Sequence, residues 1–82
     1  MERILRKSPQ DFATATNYGT RWVQELAPRH WEYHWQDEVL YPEFIEGLFI
    51  TAGEIARVPN LRIAYTQPGP KHLIFEFHWD QA

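Results

Sequence analysis

Three of the four histidines and two of the glutamates fall at alternate positions in two aromatic-rich runs, His30-Trp31-Glu32-Tyr33-His34-Trp35 and Phe75-Glu76-Phe77-His78-Trp79; the fourth histidine, His72, stands three residues ahead of the second run. Neutral imidazole and carboxylate are the donors that hold zinc and similar ions where thiolate is absent, and this chain has no cysteine. In an extended strand, residues i, i+2 and i+4 share a face at a spacing of about 7 Å. His30, Glu32 and His34 therefore share one face, and a neighbouring strand can add His78, so these four are the candidate metal ligands. Their spacing matches no common zinc signature. The same residues, with Arg62 and Glu76, also read as a polar sheet face in which charges such as Glu32 and Arg62 pair.

Other chemistries find less support. The chain has no thiol nucleophile, no Gly-rich phosphate loop and no GxSxG elbow. Ser8, the only serine, reads as a helix N-cap ahead of Pro9. Asp37, Glu38 and Glu43 could act as paired carboxylates, but they also suit a loop and the first turn of a helix, where the dipole favours acids. Arg21 and Arg29 could hold an anion or pair with Glu25 across a hairpin.

The elements that position these residues follow from period and punctuation. Both aromatic runs alternate with period two, so each is a strand with Trp31, Tyr33 and Trp35, or Phe75, Phe77 and Trp79, on its buried side. A first helix is expected from Ser8, ending near Asn17-Tyr18-Gly19, with residues 1–7 as a flexible lead-in. Thr20 to Leu26 suits either a continuation of that helix or a strand. Its β-branched and aromatic residues, and the short Leu26-Ala27-Pro28-Arg29 connection, favour a hairpin into His30–Trp35. Pro42-Glu43 opens a second helix whose apolar residues, from Phe44 to Ala56, recur at spacings of three and four. Gly47 and Gly53 in that helix suggest close packing against the sheet. Leu61 to Thr66 is a third strand, Gln67 to Lys71 a turn, and His72 to Trp79 the last strand. The expected fold is one α+β domain over residues 1–82: helix-β-β-helix-β-β in two layers, its antiparallel sheet covered on one face by helices.

Composition bounds the partners. A net charge of −3 with no basic run argues against nucleic acid, and no apolar run approaches the roughly 20 residues of a membrane span. The basic start lacks the apolar core of a secretory signal, so a cytoplasmic protein is the default. Thirteen aromatics in 82 residues exceed what one small core needs. The surplus suggests either an apolar pocket between helix and sheet, formed by Trp22, Trp31, Phe44, Phe49 and Phe75, or a self-association face helped by free sheet edges.

The runs Asn17-Tyr18-Gly19, Trp22-Val23-Gln24-Glu25-Leu26-Ala27-Pro28, Pro42-Glu43-Phe44-Ile45-Glu46-Gly47-Leu48 and Phe75-Glu76-Phe77-His78-Trp79 resemble the domain shared by 4-vinyl-reductase-like and haem–nitric-oxide-binding proteins. The nearest likeness is to a group of uncharacterised bacterial proteins of that type. The resemblance covers Ser8 to Asp80 and is to the C-terminal α/β half of the larger domain. It implies a fold of this kind, the hairpin at Thr20–Trp35, and a tendency to bind small ligands or partners. The Tyr-x-Ser-x-Arg motif that holds haem propionates in those relatives has no counterpart here. The surface that the other half would shield is then expected to meet a second copy.

Together these features predict a non-enzymatic binding or assembly module without a cofactor, forming a homo-oligomer, a dimer by preference, and docking a protein partner or small ligand. The alternatives are a sensor for an apolar or tetrapyrrole-like ligand and, more weakly, a metal-dependent enzyme using His30, Glu32, His34 and His78.

Overall fold

Alternation decides the centre of the sheet. In the computed structural model, which describes residues 1–15, 18–38 and 40–81, the strands β2 (His30–Gln36) and β4 (His72–His78) lie side by side, antiparallel. Their register sets Trp31 opposite Phe77, Tyr33 opposite Phe75 and Trp35 opposite Leu73. All six of these side chains are buried. The other set, His30 opposite His78, Glu32 opposite Glu76 and His34 opposite Ile74, points to the other face and is only half-buried. Burying large apolar side chains contributes about 1.5–3 kcal/mol each, so the register is held by its aromatic face.

β1 (Thr20–Ala27) pairs with β2, and β3 (Arg62–Gly69) with β4, giving a four-stranded antiparallel sheet in the order β1-β2-β4-β3. With the helices α1 (Glu2–Ala15) and α2 (Pro42–Ile55), the chain is α+β. Thr20–Leu26, open to either reading in the sequence, is strand. Leu5 from α1 and Ile45 and Phe49 from α2 join the sheet aromatics in one core cluster. Phe49 meets Phe77 edge-on at 5.3 Å, and Phe12 meets Trp35 edge-on at 4.7 Å.

α1 begins six residues earlier than expected. Residues 1–7 are not a loose lead-in: from Glu2 onward they are the opening turns of the helix, and Leu5 is completely buried. Ser8 is not a cap either. Its hydroxyl lies 2.9 Å from the Tyr33 hydroxyl inside the protein. Pro9 therefore stands in mid-helix, where it cannot donate to the Leu5 carbonyl and costs about 3 kcal/mol. The buried Leu5 and the Ser8–Tyr33 bond offset that cost. α1 ends at Ala15; of the expected stop, Asn17 lies outside the described residues, and Gly19 adopts φ +77°.

α2 begins at Pro42 as expected and buries Ile45, Phe49 and Gly53. Arg57 closes it in the left-handed region, with its N–H donating to the Glu54 carbonyl and that of Val58 to the Gly53 carbonyl, a paired C-terminal cap. Only one of the two helix glycines marks close packing. A Cβ at Gly53 would run into the Leu61 side chain, whereas Gly47 faces open space. The turn expected at Gln67–Lys71 is tighter than that, since β3 runs on to Gly69 and only Pro70-Lys71 turn. Both outer strands are irregular: pairing shifts between Glu25 and Ala27 in β1 and between Thr66 and Gly69 in β3. Among the described residues, no helix is long and apolar enough to cross a membrane.

Candidate functional site

All four histidines lie on the sheet face opposite the core, because His30 and His34 alternate with the β2 aromatics and His72 and His78 with those of β4. They form two clusters. In the first, His30 Nε2 is 2.8 Å from Glu76 Oε2, and His78 Nε2 is 3.9 Å from Glu76 Oε1. The two imidazoles stack with ring centroids 3.9 Å apart. One donor atom from each of His30, Glu76 and His78 lies within 4.8 Å of the other two.

Of the four candidate ligands named from sequence, the structure brings together His30 and His78 and leaves out Glu32 and His34. Glu32 is taken by its own neighbour, with Oε1 3.1 Å from His34 Nε2. Glu76 supplies the carboxylate instead. Register across 46 residues of chain decides this choice, and only the strand pairing reveals it. Arg62 does not pair with Glu32 either. It sits opposite His78 and its guanidinium donates to Asp80 at 3.1 Å.

The second cluster is closed. Trp22 lies flat on His34, centroids 4.8 Å apart and planes within 9°, and His72 leans against both. The His34 Nδ1 and His72 Nε2 atoms are covered and have no hydrogen-bond partner. This stack reads as a shielded hydrophobic contact rather than an open site.

On the core side, strand alternation puts Arg21, opposite Trp35, among the aromatics. Its partner is Glu38 at 2.9 Å, with both side chains nearly inaccessible at 3% and 1%. The pairing with Glu25 that a hairpin suggests does not form, because Arg21 and Glu25 lie four residues apart on one strand. The guanidinium also lies over Trp35 at 4.6 Å and over Phe12 at 5.0 Å, and Glu38 Oε1 accepts the Leu40 N–H. Glu38, read from sequence as a loop acid, is thus a buried carboxylate held by Arg21. Burial, and next the Glu38 carboxylate, push the Tyr18 phenol pKa up.

The five aromatics expected to line one pocket do not share one: Trp31, Phe49 and Phe75 belong to the same core cluster, and Trp22 and Phe44 lie outside it. Trp22 lies on the polar face and Phe44 on the outside of α2, while Trp31 and Phe75 are sealed in the core. One step of strand register separates Trp22 from the core, and one residue of helical phase, about 100°, separates Phe44 from Ile45. Phe49 lines a groove of about 280 Å³ between α1 and α2 whose apolar walls are Ile4, Phe12, Leu48, Phe49 and Ala52. Lys7 and Asp11 also line it.

A family model described as a protein of unknown function (DUF2378) matches residues 1–80. The chain belongs to that family. The match runs from the first turn of α1 to the end of β4, so both the groove and the histidine face lie inside the DUF2378 unit. No curated protein and no solved structure matches the chain.

Proposed function

We propose that this protein is a non-enzymatic assembly module, a two-layer domain that pairs with a second copy of itself through the outward face of α2. The observation that carries this is a stripe of exposed apolar side chains. Phe44, Leu48 and Ile55 are 55%, 42% and 79% exposed, and Tyr41, just before the helix, is 80% exposed. Their spacing places them on one side of the helix over roughly 16 Å, away from the buried Ile45, Phe49 and Gly53. Contiguous apolar surface of this kind marks an interaction face.

Charge favours a second copy as the occupant. Glu43 and Glu46 lie at the start of α2 and Arg57 just beyond its end. Glu46 is half-buried on the Tyr65 side of the helix, so in two antiparallel copies it is the exposed Glu43 of each that meets Arg57 of the other, the self-complementarity a closed twofold pair requires. Light scattering after size exclusion at micromolar concentration tests the reading: a dimer mass is expected, and a monomer across that range overturns it.

The groove beside Leu48 supports a second reading, a small apolar ligand. At about 280 Å³ it falls at the lower edge of ordinary ligand pockets, and no histidine lines it. A tetrapyrrole therefore has neither the room nor an axial ligand there, and the reading narrows to a small hydrophobic molecule. Native mass spectrometry of the purified protein tests this through a stoichiometric adduct.

A further inference from the structure

We propose that His30, Glu76 and His78 form a divalent transition-metal site, for zinc first, on the sheet face opposite α2.

Three observations combine. The donors are two imidazole nitrogens and a carboxylate, a set that suits zinc and its neighbours rather than calcium or magnesium. Their spacing is close to what the ion needs. Ligands about 2.1 Å from a tetrahedral zinc stand roughly 3.4 Å from one another, and the two Nε2–carboxylate distances here, 2.8 and 3.9 Å, bracket that value. Each carboxylate oxygen already faces a different Nε2, so the ion takes the place of the proton shared between His30 and Glu76. The stacked rings must open slightly for both nitrogen lone pairs to converge. His78, 42% exposed, has the freedom to turn.

The third observation concerns charge. Glu76 lies directly across the strands from Glu32, and like charges in that position oppose sheet formation. Arg62, the cation nearest in register, is bound to Asp80. Glu32 is met by His34, while Glu76 has His30 and His78, which are acceptable as neutral ligands around a metal. A divalent ion here answers the repulsion that the paired strands build in. The Trp22–His34–His72 cluster lacks these features, because the His34 Nδ1 and His72 Nε2 atoms are covered and, among the described residues, no carboxylate joins both rings in a ligand group.

The site is independent of α2 pairing, since it lies on the other side of the sheet. Zinc titration by calorimetry, with the intact chain prepared without chelator, is the first test. One equivalent is expected to bind, with at least tenfold weaker binding in His30→Ala, His78→Ala and Glu76→Gln, and less than a twofold change in His72→Ala. A wild-type readout guards against variants that misfold. In long-range proton–nitrogen spectra, zinc should move the His30 and His78 rings and leave those of His34 and His72 in place. No saturable binding, undiminished binding in the His30→Ala/His78→Ala double variant, or shifts confined to His34 and His72 would each overturn the proposal.

Discussion

Arg21 and Glu38, seventeen residues apart in sequence, form a 2.9 Å ion pair that is shut away from solvent. The pair ties the edge strand β1 to the segment that leads into α2. Removing one partner strands the other charge in a dry setting, so Glu38→Gln and Arg21→Met are each expected to destabilise the chain by about 3–5 kcal/mol. Replacing both together with apolar side chains is expected to recover much of that loss. Urea unfolding followed by tryptophan fluorescence measures all three. A double-variant loss equal to the sum of the two single losses would show that the pair is not coupled.

Stability should fall at alkaline pH through Tyr33. Burial pushes its phenol from 10 to about 12, with the Ser8 hydrogen bond acting in the opposite direction. A folded-state pKa above the unfolded one means the contribution is fully present below pH 10 and is lost as pH rises towards 12. That gap amounts to roughly 3 kcal/mol. Denaturant unfolding between neutral pH and the alkaline limit should show the decline, and a Tyr33→Phe/Ser8→Ala double variant should show less of it. An equally steep decline in that variant would assign the effect elsewhere.

The two glycines of α2 should respond oppositely to alanine. Gly47 faces open space, so Gly47→Ala is expected to stabilise by up to about 1 kcal/mol through helix propensity. Gly53 abuts Leu61, and Gly53→Ala is expected to destabilise by about 1–3 kcal/mol as the contact is overpacked. Melting temperatures of the two variants decide this, and a shift of the same sign in both would be inconsistent with the packing described.

Oligomerisation should depend on the α2 stripe and not on the core. Phe44→Glu with Ile55→Glu is expected to give a monomer with an unchanged circular dichroism spectrum, because both residues are exposed. Arg57→Glu should weaken the pair, and Glu43→Arg added to it should restore it. A dimer that survives the apolar double substitution would place the interface elsewhere.

Much of the fold was legible because two strands are buried on one face only, so β2 and β4 announce their inner and outer residues by type. α2 was equally plain from Pro42 and its apolar spacing. The start of α1 was hidden because Ser8-Pro9-Gln10-Asp11 imitates a cap; Ser8 instead serves a tyrosine 25 residues away, which no local rule can see. Glu38 was misread for a related reason. An acid beside Asp37 and ahead of a helix looks solvated, and only Arg21's place opposite Trp35 demands a buried counter-charge. Alternation from Val23 back to Arg21 was the available signal. The candidate metal site was half legible, its histidines from pattern and its carboxylate only from the β2–β4 register.

The outer strands bear on what this protein does at high concentration. Each has a misfit in its ladder, and Pro68 within β3 lacks an N–H for a neighbouring strand. Such a sheet is a poor template for lengthening by further chains, so fibrous growth is disfavoured even though the molecule exposes large apolar side chains. On the proposed pairing, association falls to the helix surface, where two copies would satisfy each other and growth would stop at a particle of fixed size.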